Sequence, residues 1–390
     1  MRFRNLVTTT ACLLAFTAPA LSQAADYPQP LPVEPIPAVE TLPAKYPASW
    51  IFVHDLHFKS ILDGRAAVVD VAAENGNLKG QIPVAQFGSL TPSRTRSEIY
   101  VAETMYSRLT RGERTDVLTI WDAATLAPKG EIVLPGGKRG QFVTLKNTLQ
   151  LTNDEKWALL FNFTPGASVS IIDLDERKIL NEIQLPGCSL VYPTGPRGFM
   201  SLCADGTMTT IQLDASGNAA KTTSSKPFND IDKDPMFMIP AMVGKTAWFA
   251  TFQGNIRGID LSGDVAKHLG QFSIAKPAGG TPEWRPGGWQ VLTADASGKL
   301  YMLMNPNGRE GSHKDGGTEV WVVDPLKKAL VLRVALRHHS ISVEATQQEK
   351  PLLVASRPDG FLDVYDATTG AFIREIGGTA NDPMVMTAAH

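Results

Sequence analysis

The sequence predicts an all-β protein, a seven-bladed β-propeller of four-stranded blades whose ring is closed by a C-terminal strand. Three observations carry this. A short apolar strand ending in aspartate recurs seven times, at Asp70, Asp122, Asp173, Asp214, Asp260, Asp324 and Asp366, spaced by 52, 51, 41, 46, 64 and 42 residues. Each is preceded by another strand-like run, at residues 50–53, 99–102, 157–161, 199–203, 247–250, 300–303 and 352–355. Units of 40–50 residues with several strands each are the signature of propeller blades. Finally, the first unit has almost nothing strand-like before Trp50, while Met384-Val385-Met386 is left over after the seventh. That last segment is expected to supply the strand the first blade lacks.

Taken in order, residues 1–24 have the form of a secretory signal peptide. Arg2 and Arg4 form the basic start, Leu6 to Leu21 carries the apolar stretch, and Ser22-Gln23-Ala24 puts small residues at the cleavage site. The stretch is too short and too polar for a membrane span, so the mature chain is expected to be exported, in a bacterium to the periplasm. Residues 25–49 form an arm with prolines at 28, 30, 32, 35, 37, 43 and 47. Proline fixes φ and removes a donor, which favours an extended PPII-like path. Residues 50–390 form the propeller. Its repeated aspartates are expected to cap turns through Asx hydrogen bonds, as in Asp122-Ala123-Ala124-Thr125, and none is assigned catalysis.

Loss of Arg2 and Arg4 leaves 35 of the 37 Lys and Arg residues against 39 Asp and Glu, a net charge of about −4. Without a basic cluster, nucleic-acid binding is excluded as a main function. Two cysteines remain after the leader, Cys188 and Cys203, on strand-like sequence either side of a Pro/Gly turn. In an oxidising compartment they are expected to form a disulfide, stapling a hairpin with a contribution of about 3 kcal/mol.

No catalytic constellation is apparent. His54 and His57 lie three apart, on opposite faces if in a strand; His338 and His339 are adjacent, with the same consequence. No nucleophile-elbow or zinc-protease motif occurs. Residues alone suggest a scaffold or binding propeller, with catalysis absent or supplied by a partner. Two stretches stand apart from the repeat. Residues 106–116 form a charged loop with Arg108, Arg111, Glu113, Arg114 and Asp116. This is either a solvated ion-pair network or a docking surface, since arginine forks suit interface carboxylates and carbonyls. The other is Trp284-Arg285-Pro286-Gly287-Gly288-Trp289, a turn bracketed by tryptophans.

Together these two stretches, Asp122, the Cys188/Cys203 pair and Glu349-Lys350-Pro351-Leu352-Leu353 resemble the heavy subunit of methylamine dehydrogenase and its relative, the aromatic amine dehydrogenase heavy subunit. The resemblance covers residues 50–388. It implies a periplasmic complex of two heavy and two light subunits. The cofactor, tryptophan tryptophylquinone, would lie on the light subunit, with no metal and no catalytic residue in this chain. A primary amine, methylamine foremost, would be oxidised to aldehyde and ammonia, with electrons passing to a blue copper protein, amicyanin or azurin. Arg108, Arg111, Glu113, Arg114, Asp116, Trp284, Arg285 and Trp289 become expected partner-interface residues. His57-Phe58 matches a His-Phe pair of the family, making Phe58 the expected substrate-channel residue, against the alternative of a buried core phenylalanine. Two other readings compete: a stand-alone periplasmic binding propeller, and a propeller enzyme with its own axial metal or cofactor.

Overall fold

A computed structural model describes residues 41–56, 58, 64–85, 87–141, 145–274 and 283–389. The leader, the arm up to residue 40, and His57 lie outside the described residues.

Seven antiparallel sheets follow one another along the chain. In blade 1, counted from the axis outward, the strands are Pro383–Ala388, Trp50–Asp55, Arg65–Asp70 and Leu78–Pro83. The C-terminal strand thus pairs with the first, Val53 opposite Met386, and closes the ring. Blade 2 runs Ser89–Pro92, Glu98–Arg108, Arg111–Asp122 and Pro128–Val133. The remaining second strands are Trp157–Asn162, Gly198–Cys203, Thr246–Ala250, Leu300–Asn305 and Leu352–Ser356, matching the repeat. Blade 6 departs from the four-strand pattern by one short addition. Arg285–Pro286 and Leu292–Ala294 both pair with Leu300–Asn305, one on each half of that strand.

The core lies between blades, as a radial fold requires. Second strands are buried on both faces, so they carry largely apolar runs, Trp50–Val53 and Leu300–Met304 within the fully buried Trp50–Asp55 and Leu300–Asn305. Ile51, Val53, Val69 and Met386 of blade 1 pack on Val354, Leu362 and Val364 of blade 7. Phe52 and Val68, on the opposite side of blade 1, pack on Ile99 and Val101 of blade 2. Each fully buried Val, Ile, Leu or Phe contributes about 1.5–3 kcal/mol, and alternation along one strand feeds two interfaces at once.

The aspartates end the third strand of each blade, or in blade 4 follow it directly as Asp214, and cap the turn to the fourth. Asp122 Oδ1 accepts from the backbone N–H of Ala124 and Thr125 at 3.0 and 2.8 Å, and Asp366 Oδ1 from those of Thr368 and Thr369, both at 2.8 Å. The backbone N–H of Thr125 is the main influence holding the Asp122 carboxyl below the usual range. Cys188 and Cys203 sit opposite each other on paired strands of blade 4 and form the expected disulfide.

Residues 41–49 lie on the blades. Leu42 N donates to Ala124 O, the buried Tyr46 hydroxyl to Ala123 O, and Gln347 N to Ala48 O. This segment spans blades 2, 1 and 7 beside the closure. Antiparallel order sorts the connections by face. Turns between first and second and between third and fourth strands share one face with residues 41–49. Connections from second to third strands, and from each blade to the next, share the other. Every expected interface residue and Phe58 belongs to this second face or its approaches.

Candidate functional site

The charged stretch 106–116 is a hairpin. The second and third strands of blade 2 run on as Glu98–Arg108 and Arg111–Asp122, longer than their counterparts in the neighbouring blades, and pair to the tip, with Tyr106 opposite Arg114 and Arg108 opposite Arg111. A two-residue turn joins them, with Leu109 at φ 65° and Gly112 just after it at φ 100°. The expected loop is therefore corrected to an extended ribbon. Charged residues suit its strands because both faces are solvated beyond the blade; the alternation that marks a half-buried strand is missing for the same reason.

The hairpin has two regions. At its base, Asp116 is fully buried. It takes a two-pronged bond from Arg114, Nε to Oδ1 at 2.9 Å and Nη2 to Oδ2 at 3.0 Å. It also accepts from the Thr104 hydroxyl at 2.6 Å and the Gly137 backbone N–H at 3.1 Å. Thr104 in turn accepts from Arg139 Nη1 at 2.7 Å, and Arg139 Nη2 donates to Phe87 O at 2.9 Å. Arg139 is buried, and burial lowers its guanidinium to about 10 while Asp116 and Glu103 hold it up. It therefore stays charged at neutral pH. Glu103, also buried, accepts from Ala85 N at 2.8 Å and the Thr119 hydroxyl at 2.5 Å; burial raises its carboxyl. At the tip, Arg108, Arg111 and Glu113 are exposed, with Leu109 an exposed apolar residue beside them and Met105 another nearer the base, opposite Thr115.

Phe58 lies in the connection between the second and third strands of blade 1. It is 45% exposed, which removes it from the core. Its N–H donates to Asp382 Oδ2 at 3.1 Å, and its ring lies 6.2 Å from that of Phe87. Phe87 carries the carbonyl that Arg139 holds. Phe58 and the hairpin base are thus joined through Phe87, Arg139, Thr104 and Asp116. Nothing in the sequence marks Phe87 or Arg139: one lies in a plain inter-blade turn at φ 57°, the other in the Gly-rich stretch 135–140.

The tryptophan-bracketed turn is elsewhere, at the junction of blades 5 and 6. The Trp284 ring lies 5.5 Å from Trp321, with the Arg333 guanidinium 4.8 Å and 4.9 Å from the two rings. Arg285 sits over Phe252 at 4.8 Å and bonds Glu283. Trp289 donates its backbone N–H to Ile341 O at 2.7 Å. These residues knit adjacent blades and do not join the Phe58 cluster.

A cavity of about 430 Å³ lies on the propeller axis. Neither Phe58 nor the hairpin tip lines it. Among the described residues, no three His, Cys, Asp or Glu side chains form a group able to hold a metal ion.

The family model for methylamine dehydrogenase heavy chain matches residues 48–390. The chain belongs to this family. Among relatives, the heavy chain of Methylorubrum extorquens is 29% identical over 348 residues, covering 86% of this chain and 82% of that one. The heavy chain of Paracoccus versutus is 28% identical over 292 residues, covering 73% and 67%. Solved structures share the fold alone. A Lactobacillus plantarum protein aligns with TM-score 0.59 at 12% identity over 87% of this chain and 98% of that one. A functionally unknown protein from Desulfotomaculum acetoxidans aligns at 0.56 and 14% over 88% and 100%. As a methylamine dehydrogenase heavy chain family member, the chain belongs with an amine-oxidising complex, and the Phe58–hairpin surface is its candidate contribution.

Proposed function

We propose that this chain is the heavy subunit of a periplasmic tryptophan tryptophylquinone amine dehydrogenase, two heavy and two light subunits, that oxidises a small primary amine, methylamine foremost, to aldehyde and ammonia. The continuous family match over residues 48–390 carries this reading. The quinone, borne by the light subunit, supplies the electrophilic carbonyl and accepts the amine's electrons, which pass on to a blue copper protein such as amicyanin.

This chain's own part is to hold and to shape. The hairpin tip offers Arg108, Arg111 and Glu113 to the light subunit, with Met105 and Leu109 adding apolar contact. Mixed arginine and apolar surface is the composition favoured at protein interfaces. The base makes the hairpin rigid, because Asp116 is fully satisfied and Arg139 fixes the neighbouring turn. Phe58, anchored through Asp382 and backed by Phe87, would wall the amine channel and exclude water from one side. A wall of this kind selects by size, since a pocket distinguishes a methylene by about 1–3 kcal/mol.

Co-purification tests the proposal. A tagged chain expressed with its neighbouring reading frames should bring down a small, disulfide-rich chain with quinone absorbance and amine-dependent reduction of a copper acceptor. A chain that purifies alone and binds its ligand unaided would favour the stand-alone binding propeller.

A further inference from the structure

The axial cavity has no role in the function proposed above. Charged groups line it unevenly: Arg94, Lys146 and Lys245 against Glu155 and Glu344. What these groups have left to offer differs by sign.

Both carboxylates are spent. Glu344, buried, accepts from Lys146 Nζ at 2.7 Å, Gln290 Nε2 at 2.8 Å, Thr293 Oγ1 at 2.7 Å and Ala345 N at 3.3 Å. Glu155, also buried, accepts from the Ser93 hydroxyl at 2.6 Å, the Thr95 hydroxyl at 2.5 Å, the backbone N–H groups of Arg94 and Thr95, both at 3.0 Å, and Arg94 Nε at 3.0 Å. A carboxylate has about four acceptor sites, so neither has room for an incoming donor.

The cations keep donors in hand. An ammonium carries three N–H bonds. Among the described residues, Lys146 uses one on Glu344, and Lys245 uses one on Asn153 Oδ1 at 3.0 Å. Arg94, which also lines the cavity, engages Glu155 through Nε and leaves its terminal nitrogens without a bond among the described residues. Leu90, Leu151 and Leu292 supply apolar wall between these donors. A volume of about 430 Å³ falls in the range of small-molecule sites, roughly 300–1,000 Å³.

We propose that the axial cavity is a binding site for a small oxyanion, specifically a short-chain organic carboxylate held by Lys146 and Lys245 against the leucine wall. Surplus donors on three cations and apolar surface together match an acid with a short hydrocarbon chain. The site is distinct from the Phe58 surface, and the inference does not rest on the amine dehydrogenase reading.

Calorimetric titration of the full chain with succinate, and separately with inorganic phosphate, at constant ionic strength tests it. Saturable succinate binding is expected, weakened about ten-fold in Lys245→Gln, a rim residue whose loss leaves no buried group unpaired, and further in Lys146→Met, with circular dichroism confirming that both variants are folded. Phosphate bound with succinate silent would retain the oxyanion site and overturn the organic acid. No saturable heat with either anion up to roughly 10 mM, or succinate affinity unchanged in both variants, would overturn the site itself.

Discussion

The base and the tip of the blade 2 hairpin are a few residues apart and similarly charged, yet they are physically different objects. Asp116 is buried and fully bonded, with the half-buried Arg114 beside it, in a hydrogen-bonded cluster that reaches Phe58. Arg108, Arg111 and Glu113 stand in solvent. A charge desolvated by the fold must be matched, and its removal strands its partners; a charge in solvent does little for stability and is available for recognition. Depth along one ribbon, not residue type, separates holding the fold from meeting a partner.

Substitution at the base should break the comparison most sharply. Asp116→Ala leaves Arg114 without its counter-charge and the buried Arg139 with Glu103 alone, and should cost about 3–5 kcal/mol, measured as a lower denaturant midpoint. A cost near zero would mean the base is no more structural than the tip. Next, Cys188→Ser with Cys203→Ser, which removes the blade 4 disulfide, should cost about 3 kcal/mol. Its folded fraction should still assemble normally, separating instability from lost docking.

A buried carboxylate on the opposite face extends the contrast to pH. Burial opposes the charge of Glu155, but bonds from Ser93, Thr95 and Arg94 overcome it and hold the carboxyl at about 2. A folded value below the unfolded one, about 4.3, means stability that is present above that pH and is lost as pH falls toward 2. Acid denaturation of Glu155→Gln should therefore be flatter between about pH 4.5 and 2 than that of the parent; equal slopes would remove Glu155 from the account.

Reversal at the tip, Arg108→Glu with Arg111→Glu, should move stability by no more than about 0.5 kcal/mol while light-subunit capture falls. Intact capture would return the tip to solvated surface. Arg114 is no equivalent target, since its reversal would strike the base. Smallest in stability is Phe58→Ala, at about 0.5 kcal/mol or less for an exposed ring. It should instead shift the preference among amines of different length, read from kcat/KM; an unchanged preference would take Phe58 out of the channel.

The fold was legible because a propeller writes itself periodically. Each blade needs the same apolar run, the same aspartate turn and a partner on either side, so the pattern repeats until Met384-Val385-Met386 closes it. The site was legible only in its conspicuous letters. Phe58 and the charged stretch stood out, but the ribbon looked like a loop because solvated strands lack an apolar face. Arg139 and Phe87, which join the two, come from turns between blades and carry no local signal. Trp284, conspicuous in sequence, turned out to be packed between blades with Arg333 and Trp321.

By itself, then, the sequence determined blade number, closure, turn chemistry and the cysteine staple, because each follows from local periodicity and residue type. Tertiary structure alone decided which charges of one hairpin are buried and which are free, and that the axial cavity presents donors in surplus. Those outcomes depend on where distant segments meet: residues 87 and 139 at the hairpin base, residues 146 and 344 across the channel. No spacing along the chain encodes those meetings.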